Sequence, residues 1–476
     1  MPTDSGCSPS RLAGGNADLI EEIVAYARER HQLEPAGLAE TFLRRYYAGA
    51  PREDLEARSL GDLAGAALAH LRLAEHRPHG ARLLRTYNPS PGHGWQSGHT
   101  VIEVVADDRP FLVDSLRMGA NSHGLTIHLV VHPVLSVRRD IEGRLAALPG
   151  EAGVGVSQES LVHLEVDRIA DPHRLERLER ELHAILDDVE LVVRHWQPML
   201  DQLWAVIGEL HQQPQPMPEP QVAEVRQFLT WLAEGHFTFL GYREYHLNGS
   251  GLQPVPGTGL GILSQSERHA PDETPARLPP EARQLMQAPH LLLLAKSDHQ
   301  ATVHRRAYMD QVAVRRLDRQ GQVTAEHRFL GLYSSTAYTE RPVYIPLLRR
   351  KVSAVMECAG LPPRPRGHSG KALLHILETL PRNELFEASV GELHELAMGI
   401  LQLQDRQRVR LFIRRDPYRR YLACLLYLPR DRYDTKTRRR IQQLLRETFR
   451  ARAVDFSVSL SESVLARLYL IVHASP

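Results

Sequence analysis

Residues 107–133 read DDRPFLVDSLRMGANSHGLTIHLVVHP, an acidic pair and a proline followed by an amphipathic run, a glycine and a β-branched stretch. Just before them, residues 99–107 alternate Val101, Glu103 and Val105 with Ile102 and Val104, the pattern of a strand with at least one buried face. Pro110 suits a first helical position, because it has no N–H to lose and its φ is already near helical. Phe111, Leu112, Ser115, Leu116, Met118 and Ala120 then recur at helical spacing up to Asn121–Gly124, where Gly124 can close the helix in the left-handed conformation. LTIHLVVHPVLSVRRD follows as a second strand. The stretch therefore predicts strand, acidic turn, helix and strand, with the open N–H groups of a helix start facing the turn.

Working outward, residues 160–168 form a third strand, with Leu161, His163, Glu165 and Asp167 opposite Val162, Leu164 and Val166. A charged amphipathic helix begins at Asp171-Pro172, a cap and first-turn pair. ELVVRHW, residues 190–196, closes as a fourth strand. The expected order is βαββαβ, a ferredoxin-like sandwich with two helices on one face of an antiparallel sheet, within a multi-domain α+β chain.

Upstream, residues 1–16 read as a disordered leader, and three helical patterns follow, the last with Ser59 as its N-cap. Downstream, a helix over residues 199–213 meets PQPMPEPQ, whose four prolines predict a stiff linker. A mainly β unit is expected next, with strands at FTFLGYREYHL, HLLLLAKS and TAEHRFLGLYSS and another broken near Asp310. Helices then begin near Ile345, Ser369 and Ser389. The last unit reads ββαββ, with Asp434 or Thr435 capping its helix, and looks like a circularly permuted relative of the first sandwich. A closing helix would fall beyond Pro476, which is the expectation for a fragment or an early stop.

The totals exclude several classes. Length allows about three domains at ~150 residues each. With 58 basic and 57 acidic residues the net charge is +1, so no global field recruits nucleic acid or acidic membranes. Only Lys296, Lys351, Lys371 and Lys436 are lysines, a skew that fits a GC-rich coding background. Cys7, Cys358 and Cys424 are sparse and form no CxxC pair, which suits a reducing cytoplasm. No run approaches the ~20 apolar residues of a membrane span, so a cytoplasmic protein with no membrane partner is expected.

The chemical motifs are weak. GTGLGILSQ lacks the helix that must follow a dinucleotide fingerprint, and GHSGKA has Pro365 and Ala372 where a P-loop needs Gly and Ser or Thr. His128 and His132 would lie about 13 Å apart on a strand, too far for one ion. The other histidines are scattered and no Cys joins them, so no metal site is expected. No serine sits in a GxSxG elbow, and Cys358 has no motif context. Asp107 and Asp108 read as a helix-capping turn. The arginine run of residues 410–440 interleaves aromatics, but nearby acids and the needs of a sheet core argue against nucleic-acid binding.

RPFLVDS after a strand resembles the D-x-P-G-L-L turn of ACT domains, βαββαβ modules that bind amino acids and other small effectors. DDRPFLVDSLRM, HGLTIHLVVHPVLSVRRD, HFTFLGYREY, GTGLGIL, FLGLYSSTAY, GKALLHILETLPRNELF and MGILQLQDRQRVRLFIRRD, in this order, resemble the N-terminal region of the large bacterial NAD-specific glutamate dehydrogenases. The resemblance implies a helical segment over 17–90, an ACT-like domain over 91–197, a helix and linker over 198–221, a PAS-like unit over 222–340, a helical connector over 341–406 and a second ACT-like domain over 407–476. It further implies a homo-oligomer partnered by its own C-terminal catalytic region. That region would bind NAD and deaminate L-glutamate to 2-oxoglutarate and ammonium, leaving no catalytic residue and no cofactor in this chain. An amino-acid effector would sit at Asp107, Asp108, Arg109, Pro110, Phe111 and Leu112 with Asn121, His123 and Gly124. The turn's usual glycine is replaced by Phe111, whose ring would fill the site and favour assembly instead. A freestanding ACT/PAS-like sensor or assembly protein without catalysis is the other reading.

Overall fold

The computed structural model describes residues 16–150, 153–248, 251–265, 284, 288–363, 367–403, 406–416, 418–460 and 463–473. The leader expected over residues 1–16 lies outside them except for Asn16. The chain divides into two compact units, Met1–Val193 with Thr302–Arg306, and Arg194–Ala301 with Ala307–Pro476. Among the described residues no helix is long and apolar enough to cross a membrane.

The first unit opens with helices α1 (Ala17–His31), α2 (Leu38–Tyr46), α3 (Arg52–Glu56) and α4 (Leu60–Ala74). Ser59 caps α4 by accepting the Asp62 N–H, as its position before the apolar run predicts. Strands β1 (Leu83–Tyr87) and β2 (Thr100–Asp107), helix α5 (Leu112–Ser122), strands β3 (Ile127–Val131), β4 (Val134–Arg139), β5 (Leu145–Ala147) and β6 (Ser157–Val166), and helix α6 (Pro172–Arg194) complete it. The sheet order is β1-β2-β6-β4-β5, with β3 also paired to β6, and every pairing is antiparallel.

The structure departs from the expectations in four places. Residues 190–194 continue α6, because Leu182, Ile185, Leu186, Val189 and Val192 form one buried stripe at helical spacing. The edge position beside β2 is filled from upstream by β1, a short strand the sequence reading missed. Pro110 precedes the helix instead of starting it, since Phe111 takes φ +70° and acts as N-cap. The expected second strand is divided at His132-Pro133 into β3 and β4, since proline has no N–H for the ladder.

Both faces of this sheet are covered. Ile102, Val104, Val162 and Leu164 pack with Leu116 of α5 and Leu178 and Leu182 of α6. Val105, Leu129, Val131 and Leu161 pack with Ile23, Phe42, Leu43 and Leu71 of α1, α2 and α4. Gly119 lets α5 and α6 meet, since a Cβ there would stand 2.7 Å from Ile185 Cδ1.

In the second unit, helices α7 (Trp196–Gln212) and α8 (Glu219–Trp231) flank the proline-rich segment. Strands β7 (Phe237–Asn248), β8 (Gly251–Pro254), β9 (Leu260–Gly261), β10 (Leu292–Gln300), β11 (Tyr308–Leu317) and β12 (Val323–Tyr333) form a sheet of order β10-β11-β12-β7-β8, with β9 paired to β7. The expected break near Asp310 falls instead at residues 301–307. Asp310 is buried inside β11 opposite Lys296 of β10, whose ammonium lies 2.5 Å from its carboxylate, so an acid that resembled a strand breaker is neutralised across the ladder. The glycines of GTGLGIL serve backbone packing: a Cβ on Gly261 would meet Leu240 O at 2.1 Å.

Helices α9 (Ser335–Thr339), α10 (Leu348–Cys358), α11 (His368–Thr379), α12 (Arg382–Glu387) and α13 (Val390–Leu401) follow, α13 starting with a Ser389–Glu392 capping box. Strands β13 (Arg410–Arg415) and β14 (Tyr421–Pro429), helix α14 (Thr435–Thr448) and strands β15 (Ala453–Ser459) and β16 (Leu465–His473) form a sheet of order β13-β14-β16-β15. Asp434 caps α14 through the Thr437 N–H. This order has the same succession as the first unit's sheet: an edge strand, its hairpin partner, the last strand, then the strand that follows the helix.

Candidate functional site

The acidic turn ends β2, and its polar groups are occupied by the protein. Asp107 receives Arg77 Nη2 at 2.6 Å and Arg109 Nη2 at 3.5 Å. Burial pushes the Asp107 carboxyl up, but Arg77 and then Arg109 outweigh it and hold it below the usual range. Arg77 also reaches Glu159 at 2.9 Å, which Arg139 grips through two bonds of 2.7 Å. Asp108 accepts the Ser160 hydroxyl at 2.6 Å. The Phe111 ring lies 5.1 Å from the His304 ring, and the His304 N–H donates to Ser115 Oγ at 3.0 Å, so the unit's own Thr302–Arg306 segment sits over the helix start.

Leu112 is buried at that start, whereas Asn121, His123 and Gly124 stand at the other end of α5, a helix of 11 residues and so about 16 Å long. There Gly124 takes φ +71° and His123 Nε2 lies 2.8 Å from Glu181. The structure therefore separates the two halves of the expected effector site by the length of a helix.

A second constellation lies farther along the same strands, beneath α4. Glu103 of β2 and His163 of β6 are directly opposite in the ladder, and α4 places His70 above them. Relative exposures of 0% for His70 and Glu103 and 1% for His163 put all three out of reach of water. His70 Nε2 faces Val104 O at 3.2 Å, so it carries the proton, and Nδ1 accepts from Tyr46 OH at 2.8 Å. Burial pushes the His70 imidazole down to about 4, which keeps it neutral. Glu103 Oε2 accepts Arg85 Nε at 3.0 Å and Oε1 accepts Tyr87 OH at 3.2 Å. Burial raises its carboxyl, but His163, His70 and Arg85 outweigh burial and hold it at about 2.

Glu165, two residues along β6, accepts Arg58 Nη2 at 2.9 Å and His99 Nδ1 at 3.0 Å. The His163 ring nitrogens have no hydrogen-bond partner; the nearest acceptors are Glu103 Oε1 at 3.5 Å and Glu165 Oε1 at 3.7 Å. Glu165 also lines a cleft of about 860 Å³ with Arg58, Asp62, Trp95, His99 and Arg168. His99 stacks on His128 at 4.3 Å, and His128 Nε2 lies 2.7 Å from Asp167, whereas His132 bonds Ser160 at 3.1 Å.

The sequence reading treated the histidines as scattered, because 93 positions separate His70 from His163. One signal was available: Glu103 and His163 stand on apolar strands whose second face three upstream amphipathic helices would cover. The arginine run is partly neutralised internally, with Arg414 at 2.8 Å from both Glu384 and Glu387 and Arg420 at 3.0 Å from Asp416.

Comparison with known proteins agrees with this architecture. Residues 42–182 match the glutamate dehydrogenase ACT1 domain, 345–406 its helical motif 1 and 410–476 its ACT2 domain. The chain is 40% identical over 463 residues to the NAD-specific glutamate dehydrogenase of Halomonas elongata, covering 96% of this chain and 29% of that protein. It is 39% identical to that of Pseudomonas aeruginosa over 91% of this chain and 27% of the relative, and 28% identical to that of Mycobacterium tuberculosis over 85% and 24%. The chain thus spans less than a third of the length of these relatives. It belongs to the NAD-specific glutamate dehydrogenase family and corresponds to the N-terminal region of its members.

Proposed function

We propose that this chain is the regulatory and oligomerisation region of an NAD-dependent glutamate dehydrogenase of the cytoplasm, whose C-terminal catalytic region binds NAD and converts L-glutamate to 2-oxoglutarate and ammonium. The observation that carries the reading is the succession of ACT1, helical motif 1 and ACT2 along one chain. The order β10-β11-β12-β7-β8 supports a PAS-like central module, and the ββαββ succession of β13, β14, α14, β15 and β16 supports a second, permuted ACT-like unit. Assembly is supported by edge strand β13, where Leu411 and Ile413 are 39% and 49% exposed. Paired acids and the Phe111–His304 contact favour packing over ligand capture at the acidic turn.

A glutamate-dependent NADH assay on the purified chain tests the division of labour. No turnover is expected, and measurable turnover sinks the reading. Calorimetric titration with amino acids should give the same result for wild type and Asp108→Ala, whereas binding lost in the variant would restore an effector site at the turn.

A further inference from the structure

We propose that His70, Glu103 and His163 form a buried binding site for a divalent transition-metal ion, zinc being the best chemical match. One donor atom from each, two imidazole nitrogens and one carboxylate oxygen, already lie within 4.8 Å of one another. Zinc takes such N/O donors at ~2.0–2.2 Å, so modest side-chain rotations bring the three onto one ion, with water as the fourth ligand. The donors have the surroundings of metal ligands. Glu103 Oε2 is held by Arg85, and an ion at Oε1 would replace its 3.2 Å bond from the half-buried Tyr87 hydroxyl. His163 directs Nε2 toward Glu165 Oε1 at 3.7 Å, leaving Nδ1, which faces Glu103 Oε1 at 3.5 Å. His70 Nε2–H stays held by Val104 O, and Nδ1, the nitrogen with the lone pair, would ligate by exchanging the Tyr46 hydroxyl for the ion. A carboxylate behind a ligating histidine is the usual device that fixes its tautomer and orientation.

His163 supplies the independent observation. A fully buried imidazole with no hydrogen-bond partner on either nitrogen is costly unless something satisfies it. A proton on the ring would attract the two carboxylates, but at 3.5 and 3.7 Å neither makes a good hydrogen bond to it. An ion between His163, Glu103 and His70 would take up the open Nδ1 of His163. Its charge is offset by the Glu103 and Glu165 carboxylates, and Arg58, whose side chain is 17% exposed, can turn toward water. Glu165 also lines the solvent cleft, which provides a route inward. The three ligands come from α4, β2 and β6, so the ion would clamp the N-terminal helices onto the sheet.

The test uses the untagged chain, stripped with a chelator and titrated with Zn2+ by calorimetry and with Co2+ by visible absorption. The expected result is one ion per chain, a four-coordinate Co2+ spectrum and a melting temperature raised by several degrees. Uptake should fall at least tenfold in Glu103→Gln and in His70→Gln, with folding checked by circular dichroism, and survive in His128→Ala. No uptake by wild type, or uptake lost only in His128→Ala, overturns the proposal. Should neither core variant fold, X-ray absorption of the zinc-loaded wild type decides. Two imidazoles with a carboxylate support the site, and a water-rich octahedral shell overturns it.

Discussion

Phe111 holds φ +70°, a conformation that costs a side-chain-bearing residue roughly 1 kcal/mol or more relative to glycine. Its ring contact with His304 offsets that strain. Phe111→Ala loses the ring and keeps the strain, whereas Phe111→Gly loses both. Denaturant titration should therefore find the glycine variant more stable than the alanine variant by about 1 kcal/mol, and equal stabilities would show that the turn relaxes. Lys351 donates to the carbonyls of Leu385, Phe386 and Ala388 at 3.1, 2.6 and 2.9 Å, and burial pushes its ammonium down to about 8. Between that value and the ordinary lysine range near 10.5 the unfolded chain binds more protons, so this group makes stability rise with pH across the window. Relative to Lys351→Met, wild type should gain on the order of 2–3 kcal/mol from pH 8 to 10.5, and parallel pH profiles would refute the assignment. Caps such as Ser59 and Asp434 were legible in the sequence because they act on their own next turn. The roles of Lys351 and Arg77 were not, because their partners lie 34 and 82 positions away.

At the scale of elements, local patterning succeeded wherever one period ran uninterrupted. Residues 190–196 misled because β-branched residues suit a strand by propensity, while their buried stripe belongs to a helix already under way. β1 was missed because LLRTY is too short to display alternation, and pairing with β2 is what makes it a strand. Ser59→Ala should cost about 1 kcal/mol by loss of the cap. Gly119→Val should cost more, roughly 2–3 kcal/mol, because it forces α5 and α6 apart; thermal melts that rank the two in the opposite order would show that the helices can give way. Ile413→Lys on edge strand β13 should shift light-scattering mass toward a smaller species with little change in melting temperature. An unchanged mass would rule out β13 as the proposed assembly surface.

At the scale of the whole molecule, a net charge of +1 and a pI near 7.9 predict the greatest self-association near pH 8 at low salt. Light scattering across pH checks this, and a minimum there would point to a specific charged interface instead. The sequence by itself determined the α+β class, most element positions, the caps and, through ordered strings of resemblance, the family, because each rests on periodicity or adjacency along the chain. Only the tertiary structure decided that β1 completes the first sheet, that α1–α4 cover its second face, and that His70, Glu103 and His163 meet beneath them. The physical reason is that strand pairing and helix docking join residues far apart in sequence. A polar residue on a strand reads as solvent-facing until the element that covers it is known.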